Sequence, residues 1–307
     1  MKIEIRRELV NFTRYLLGSL YMLMGKPLLK RELTTFVFHE ISDNPRAHAR
    51  ETRTYSDTKT FERQIEWIQK SFEVQDLRTD ETDLSKGGCL VTFDDGYEGV
   101  LGNALPILRS NGVPAVCFLN MATIHGEINS SAMAMYAARR EGRPVNWADS
   151  NPSFYSHVAE KLNEEELNVL RDYQGPYLNE KQLEKLADDP LITIGDHLNN
   201  HWLLDVLTSE EINKELAKGS KELQNFRSYM HVFAAPHGVS QSVALECLSS
   251  SGFCTVFSGN EIRRIGTLTI YPRIDLNNEI ASIQHFFGAI LVSKIRIWAQ
   301  RSYFTKN

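Results

Sequence analysis

Two hydrophobic rhythms alternate along this chain. Short, nearly unbroken apolar runs suit strands buried on both faces, and longer stretches with apolar residues every three to four positions suit helices. The runs predict strands at 34–39, 74–77, 89–93, 114–119, 191–195, 232–235, 254–257 and 268–271. Helical spacing predicts helices at 3–25, 61–72, 99–111, 131–141, 158–173, 179–188, 209–226, 240–251 and 279–300. In the second of these, Phe61, Ile65, Ile68 and Phe72 fall on one side. Asn111-Gly112 reads as a helix end and Ser209 as an N-cap. Residues 80–88 read as a polar turn. The alternation gives seven or eight βα units and no internal repeat, and predicts an α/β fold with a parallel sheet. A closed or nearly closed (β/α) barrel is the economical arrangement; a doubly wound open sheet is the alternative.

The rhythm breaks over residues 121–176, a helical insertion of about 55 residues where a few would suffice. Such an insertion serves as a lid or specificity element, or as an oligomer contact. The expected organisation is an N-terminal amphipathic helix (1–32), a barrel (33–275, insertion 121–176) and a C-terminal helix (276–307). The apolar stretch 15–24 is shorter than the roughly 20 residues that span a bilayer. Glu4 and Glu8 dilute the basic region that a signal peptide requires. The first helix therefore either packs on the domain or lies on a membrane surface.

Composition adds little to this pattern. A chain of 307 residues, 42% hydrophobic and 24% charged, can bury a sizeable core. A net charge of −5 argues against nucleic acid as the main partner. Cys89, Cys117, Cys247 and Cys254 show no disulfide framework, which favours a reducing compartment. The expected location is cytoplasmic, peripheral on the inner membrane.

Chemistry concentrates at 89–97, Cys-Leu-Val-Thr-Phe-Asp-Asp-Gly-Tyr. Adjacent strand residues point to opposite faces, so Asp94 and Asp95 share a site only if the strand stops there; Gly96 permits the stop. Two acids at a strand's carboxyl end can divide labour, one binding a metal and one acting as base. His197 and His201 follow another predicted strand. On a helical turn, their spacing would put both imidazoles on one side. One Asp and two His would hold a divalent metal and leave an open position, the arrangement of a catalytic zinc site.

Thr92-Phe-Asp-Asp-Gly-Tyr97, His197-Leu-Asn-Asn-His201 and Phe233-Ala-Ala-Pro-His-Gly238 resemble, in order, three motifs of the polysaccharide deacetylase family, the NodB-homology or carbohydrate esterase 4 group. The opening strand with His39 and the Phe61 helix also look like the start of its domain, so the resemblance covers about 33–275. It implies a distorted (β/α) barrel that removes N-acetyl, less often O-acetyl, groups from sugars with a divalent metal, Zn2+ first among them. Asp95, His197 and His201 would hold the metal and Asp94 would be the base. His237 stands where the family has a tyrosine whose backbone N–H serves the oxyanion, and a backbone donor is indifferent to side chain.

The chain departs from that pattern twice. Ala234 replaces the usual arginine of the third motif, and Arg273 is the candidate to orient Asp94 instead, or a rim salt bridge. No histidine matches the family's acid; His285, His39, His237 and Asp94 itself are candidates. Trp202 either stacks on a sugar or packs beneath the site, and Asp196 either orients a histidine or shapes a turn. The expected function is a metal-dependent deacetylase acting on an N-acetylated sugar of a glycan or glycan precursor. The alternatives are a deformylase or other amide hydrolase of the same superfamily, and a non-catalytic glycan-binding barrel.

Overall fold

The computed structural model describes residues 2–24, 32–79, 84–259 and 262–304. The end of the expected helix 3–25, residues 80–83 of the polar turn and the extreme tail lie outside the described residues. The strands are β1 (Thr34–Phe38), β2 (Glu40–Ile41), β3 (Tyr55–Ser56), β4 (Cys89–Phe93), β5 (Ala115–Leu119) and β6 (Ile192–Asp196). They continue with β7 (Tyr229–Ala234), β8 (Thr255–Phe257), β9 (Arg263–Ile265), β10 (Leu268–Tyr271) and β11 (Arg273–Asp275). One sheet runs β11-β1-β4-β5-β6-β7-β8-β10-β9, and a small one pairs β2 with β3. Every pair in the large sheet is parallel except the β9–β10 hairpin.

The barrel closes through a bent segment. β10 lies against β8, and β11, one residue later, lies against β1. Pro272 stands between them; lacking an N–H, it ends the first pairing without leaving a donor unsatisfied. The fold is thus the distorted (β/α) barrel, not the open sheet.

The unbroken apolar runs explain the strands, because every position of β1, β4, β5 and β6 is buried. Phe38 and Phe93 stack at 5.6 Å, with Phe61 edge-on to Phe38 at 5.0 Å. Each such buried ring stabilises the fold by roughly 1.5–3 kcal/mol relative to exposure. Asp57 caps Thr58–Ser71, which carries Phe61, Ile65 and Ile68 into this core.

Other elements differ from the sequence pattern for local reasons. Residues 74–77 form one bridge, Val74 to Cys89, rather than a strand. The helix expected at 99–111 opens as a π-helix, Val100–Ala104, before Leu105–Asn111; Pro106 cannot donate to residue 102, so the ladder shifts register ahead of it. The stretch 158–173 is split between Pro152–Ala159 and Glu164–Gln174, because Asn163 and Glu166 form a capping box that starts a new helix. Thr208, not Ser209, caps Ser209–Leu223.

Lys2–Leu23 packs along Ile283–Phe304 at very close range. A Cβ on Gly18 would strike the Gln284 carbonyl, and one on Gly288 the Arg14 carbonyl. Phe286 and Phe287 of the second helix are fully buried, and Phe286 stacks on Phe36 at 5.5 Å.

Candidate active site

The carboxyl ends of β1, β4, β6 and β7 and the first residue of β11 converge on one buried polar cluster. Asp94 and Asp95 follow β4, and the chain reverses there because Asp95 and Gly96 both take left-handed backbone, φ 71° and 79°. The Gly96 N–H donates to the Asp94 carbonyl at 2.9 Å. That reversal brings both carboxylates to one side, as a continuing strand could not.

His197 and His201 reach the cluster from a loop, not from the helical turn expected of their spacing. Leu198 and His201 take φ 60°, which breaks any helical course. The loop is pinned along its length. The Asp196 carboxylate accepts from the Leu198 N–H at 3.1 Å and from Ser220 Oγ at 2.6 Å. Asn120 donates to the carbonyls of His197 and Leu198. Asn200 donates twice to Glu215, at 2.9 Å each. Among the described non-glycine residues, left-handed φ occurs at Arg53 and at four site positions, Asp95, Leu198, His201 and His237. Such residues cost about 1–3 kcal/mol each and persist where surroundings over-determine them.

Asp95 Oδ1 lies 3.1 Å from His201 Nε2 and 3.5 Å from His197 Nε2, yet it is buried without a well-directed hydrogen bond. The three donor atoms fall within 4.8 Å of one another. His197 Nδ1 donates to the Ala234 carbonyl at 2.7 Å, which turns its Nε2 inward. His201 Nδ1 meets Ser131 Oγ at 3.0 Å, with the same effect. Converging donor atoms from one aspartate and two histidines fit a divalent cation. Asp94 stands beside this set, with Oδ2 3.7 Å from His197 Nε2 and Oδ1 2.6 Å from Arg273 Nη1.

Burial pushes the Asp94 carboxyl up, but Arg273, His197 and His39 outweigh it and hold it below its ordinary range. Burial opposes Asp95 too, and His201 and His197 hold it well below. Burial alone would lower His197; Asp94 and Asp95 overcome it and raise the imidazole.

The insertion, whose role the sequence left open, builds part of the site. Ser131 Oγ bridges His201 Nδ1 and His237 Nε2 at 3.0 Å each. Ser130 and Ser150 donate to the His201 carbonyl at 2.6 and 3.1 Å. Trp147, 38% exposed, lies 4.8 Å from the His237 ring. Sequence reading missed these residues, since serines and a loop tryptophan carry no spacing signal. It also missed His48, which is buried against Tyr97 Oη at 3.4 Å and lowered to about 4 by burial, only partly opposed by Asp95.

His39, just past β1, has a buried Nδ1 with no hydrogen-bond partner and faces Asp94 and Asp95 electrostatically. His285 is elsewhere, bonded to Ser282 at 2.8 Å and packed on Tyr15. Trp202 packs beneath the site, edge-on to Tyr155 at 5.3 Å and only 5% exposed.

A parallel barrel with an Asp-His-His cluster and a second aspartate at its carboxyl end defines a hydrolase-type site. The family profile for polysaccharide deacetylase matches residues 81–256, more than half of the chain, and the chain belongs to that family. No curated protein matches it. Among solved structures, Streptococcus pyogenes deacetylase PplD in complex with acetate is 14% identical, with a TM-score of 0.55 over 85% of this chain and 98% of that one. IcaB from Ammonifex degensii is 16% identical, with a TM-score of 0.54 over 84% and 97%. The polysaccharide deacetylase BC0361 from Bacillus cereus is 12% identical, with a TM-score of 0.56 over 85% and 69%. At such identities the likeness speaks for the fold.

Proposed function

We propose that this deacetylase hydrolyses the acetamido group of an N-acetylated sugar in a glycan or glycan precursor. The observation that carries the reading is Asp94, buried, ionised and clamped by Arg273 at 2.6 Å beside the Asp95–His197–His201 cluster. A binding module has no use for a base held in that position. Asp95, His197 and His201 would hold a divalent metal, with zinc favoured by the mixed nitrogen and oxygen donors. Such a metal supplies Lewis acidity toward the acyl carbonyl and toward water.

The chain's own residues supply the rest. Asp94 takes a proton from the attacking water, whose oxygen bonds to the acyl carbon. The backbone N–H of His237 donates to the developing oxyanion. His39 is the acid that protonates the departing nitrogen as the C–N bond breaks, leaving acetate and a free amine. Its place among Asp94 and Asp95 supports this over His285. Trp147 offers an exposed ring on which the sugar can lie.

The test is metal content together with acetate release from N-acetylglucosamine oligomers. Asp94→Asn should keep its metal and lose activity by about 10²–10⁴-fold. Formate release without acetate would assign a different acyl group, and unchanged activity in the variant would remove Asp94 as base.

A further inference from the structure

Lys2–Leu23 presents two unlike faces. Arg14, Gly18 and Tyr21 turn to the C-terminal helix, through the Gly18 and Gly288 contacts and the Tyr21–Phe287 ring pair at 5.5 Å. The other side carries Leu9, Phe12, Leu16, Leu20 and Leu23, exposed to 63, 60, 45, 55 and 84%. A folded domain rarely leaves such a row of large apolar side chains open unless it meets something. No described helix is long and apolar enough to cross a membrane. A row of this kind suits a helix lying in the plane of a bilayer interface.

Charge selects the partner. Residues 1–31 and 283–307 hold 11 basic and 2 acidic residues, a net of +9. The other 251 residues hold 23 basic and 37 acidic, a net of −14. The apolar stripe therefore belongs to the one strongly cationic part of an acidic protein. A second copy would set two +9 regions against each other, whereas an anionic lipid surface satisfies both features.

We infer that the two terminal helices seat the barrel on an anionic membrane, with the Leu9–Leu23 stripe in the acyl boundary and the net positive charge of the two end segments drawing it to phosphate headgroups. Arg14 lies within electrostatic reach of Asp275 and Glu279. Asp275 ends β11 two residues after Arg273, so it is the inward side of the first helix that nears the end of this strand.

The test is flotation of the full chain with phosphatidylcholine vesicles, with and without phosphatidylglycerol. The chain should float with the anionic vesicles and be released by salt. Leu16→Asp with Leu20→Asp should cut the bound fraction about tenfold. Both side chains are open in the fold, so an unchanged melting temperature separates lost docking from lost structure. Equal flotation of parent and variant would overturn the inference, as would no flotation with either vesicle. A lipid-free dimer that the double substitution abolishes would also overturn it and assign the stripe to a second copy.

Discussion

Arg273 is the residue on which the proposed role of Asp94 as base depends. Burial would lift the Asp94 carboxyl, and the guanidinium at 2.6 Å is the foremost influence drawing it down. A base with a depressed pKa is ionised throughout the neutral range, and its activity falls only as pH drops toward the acid side. In Arg273→Ala, the Asp94 carboxyl should titrate at higher pH. Acetate release should then fall about a hundredfold at neutral pH and recover part of the loss as pH rises. A pH–rate profile checks this, and an acid limb that does not move would make Arg273 a packing residue only. The side chain was legible in the sequence as a charge after the last apolar run. Its pairing with Asp94 was expected through the family resemblance, beside a rim salt bridge; spacing alone could not give it, because 179 residues separate the two and only the barrel's closure unites them.

Elements decide how the site is aimed. The strand runs were readable because parallel strands buried on both faces leave nothing but apolar residues to see. β9 was not readable; its Arg-Arg-Ile sequence is only partly buried and pairs antiparallel at the sheet's end. The His197–His201 loop was misjudged as helical because four-residue spacing also fits a loop with two left-handed residues, and only its tethers reveal which. β6 delivers that loop, and Gly195 lets it pass Phe118, whose ring carbons would lie 2.6 Å from an added Cβ. Gly195→Ala should destabilise the protein by about 1–3 kcal/mol in urea titration. The insertion aims from above. Trp147→Ala should raise KM roughly 5–30-fold, as expected for about 1–2 kcal/mol of lost ring contact, with little change in kcat. An unchanged KM would leave Trp147 without a role in binding sugar.

At the scale of the molecule, most lateral pairings of the barrel run strand to strand, but its closure depends on a segment that belongs to two neighbours in turn. β10 is tied to β8 and β11 to β1, with Pro272 at the change of partner. Hydrogen exchange should therefore find the amides of β10 and β11 opening sooner than those of β4 and β5. Arg273 is the first residue beyond the proline. Any yawning of this seam would withdraw the cation from Asp94 before the rest of the sheet noticed. Heat or denaturant should thus silence the enzyme ahead of its global melting, and whatever clamps the two ends of the chain together should keep the stave in its hoop.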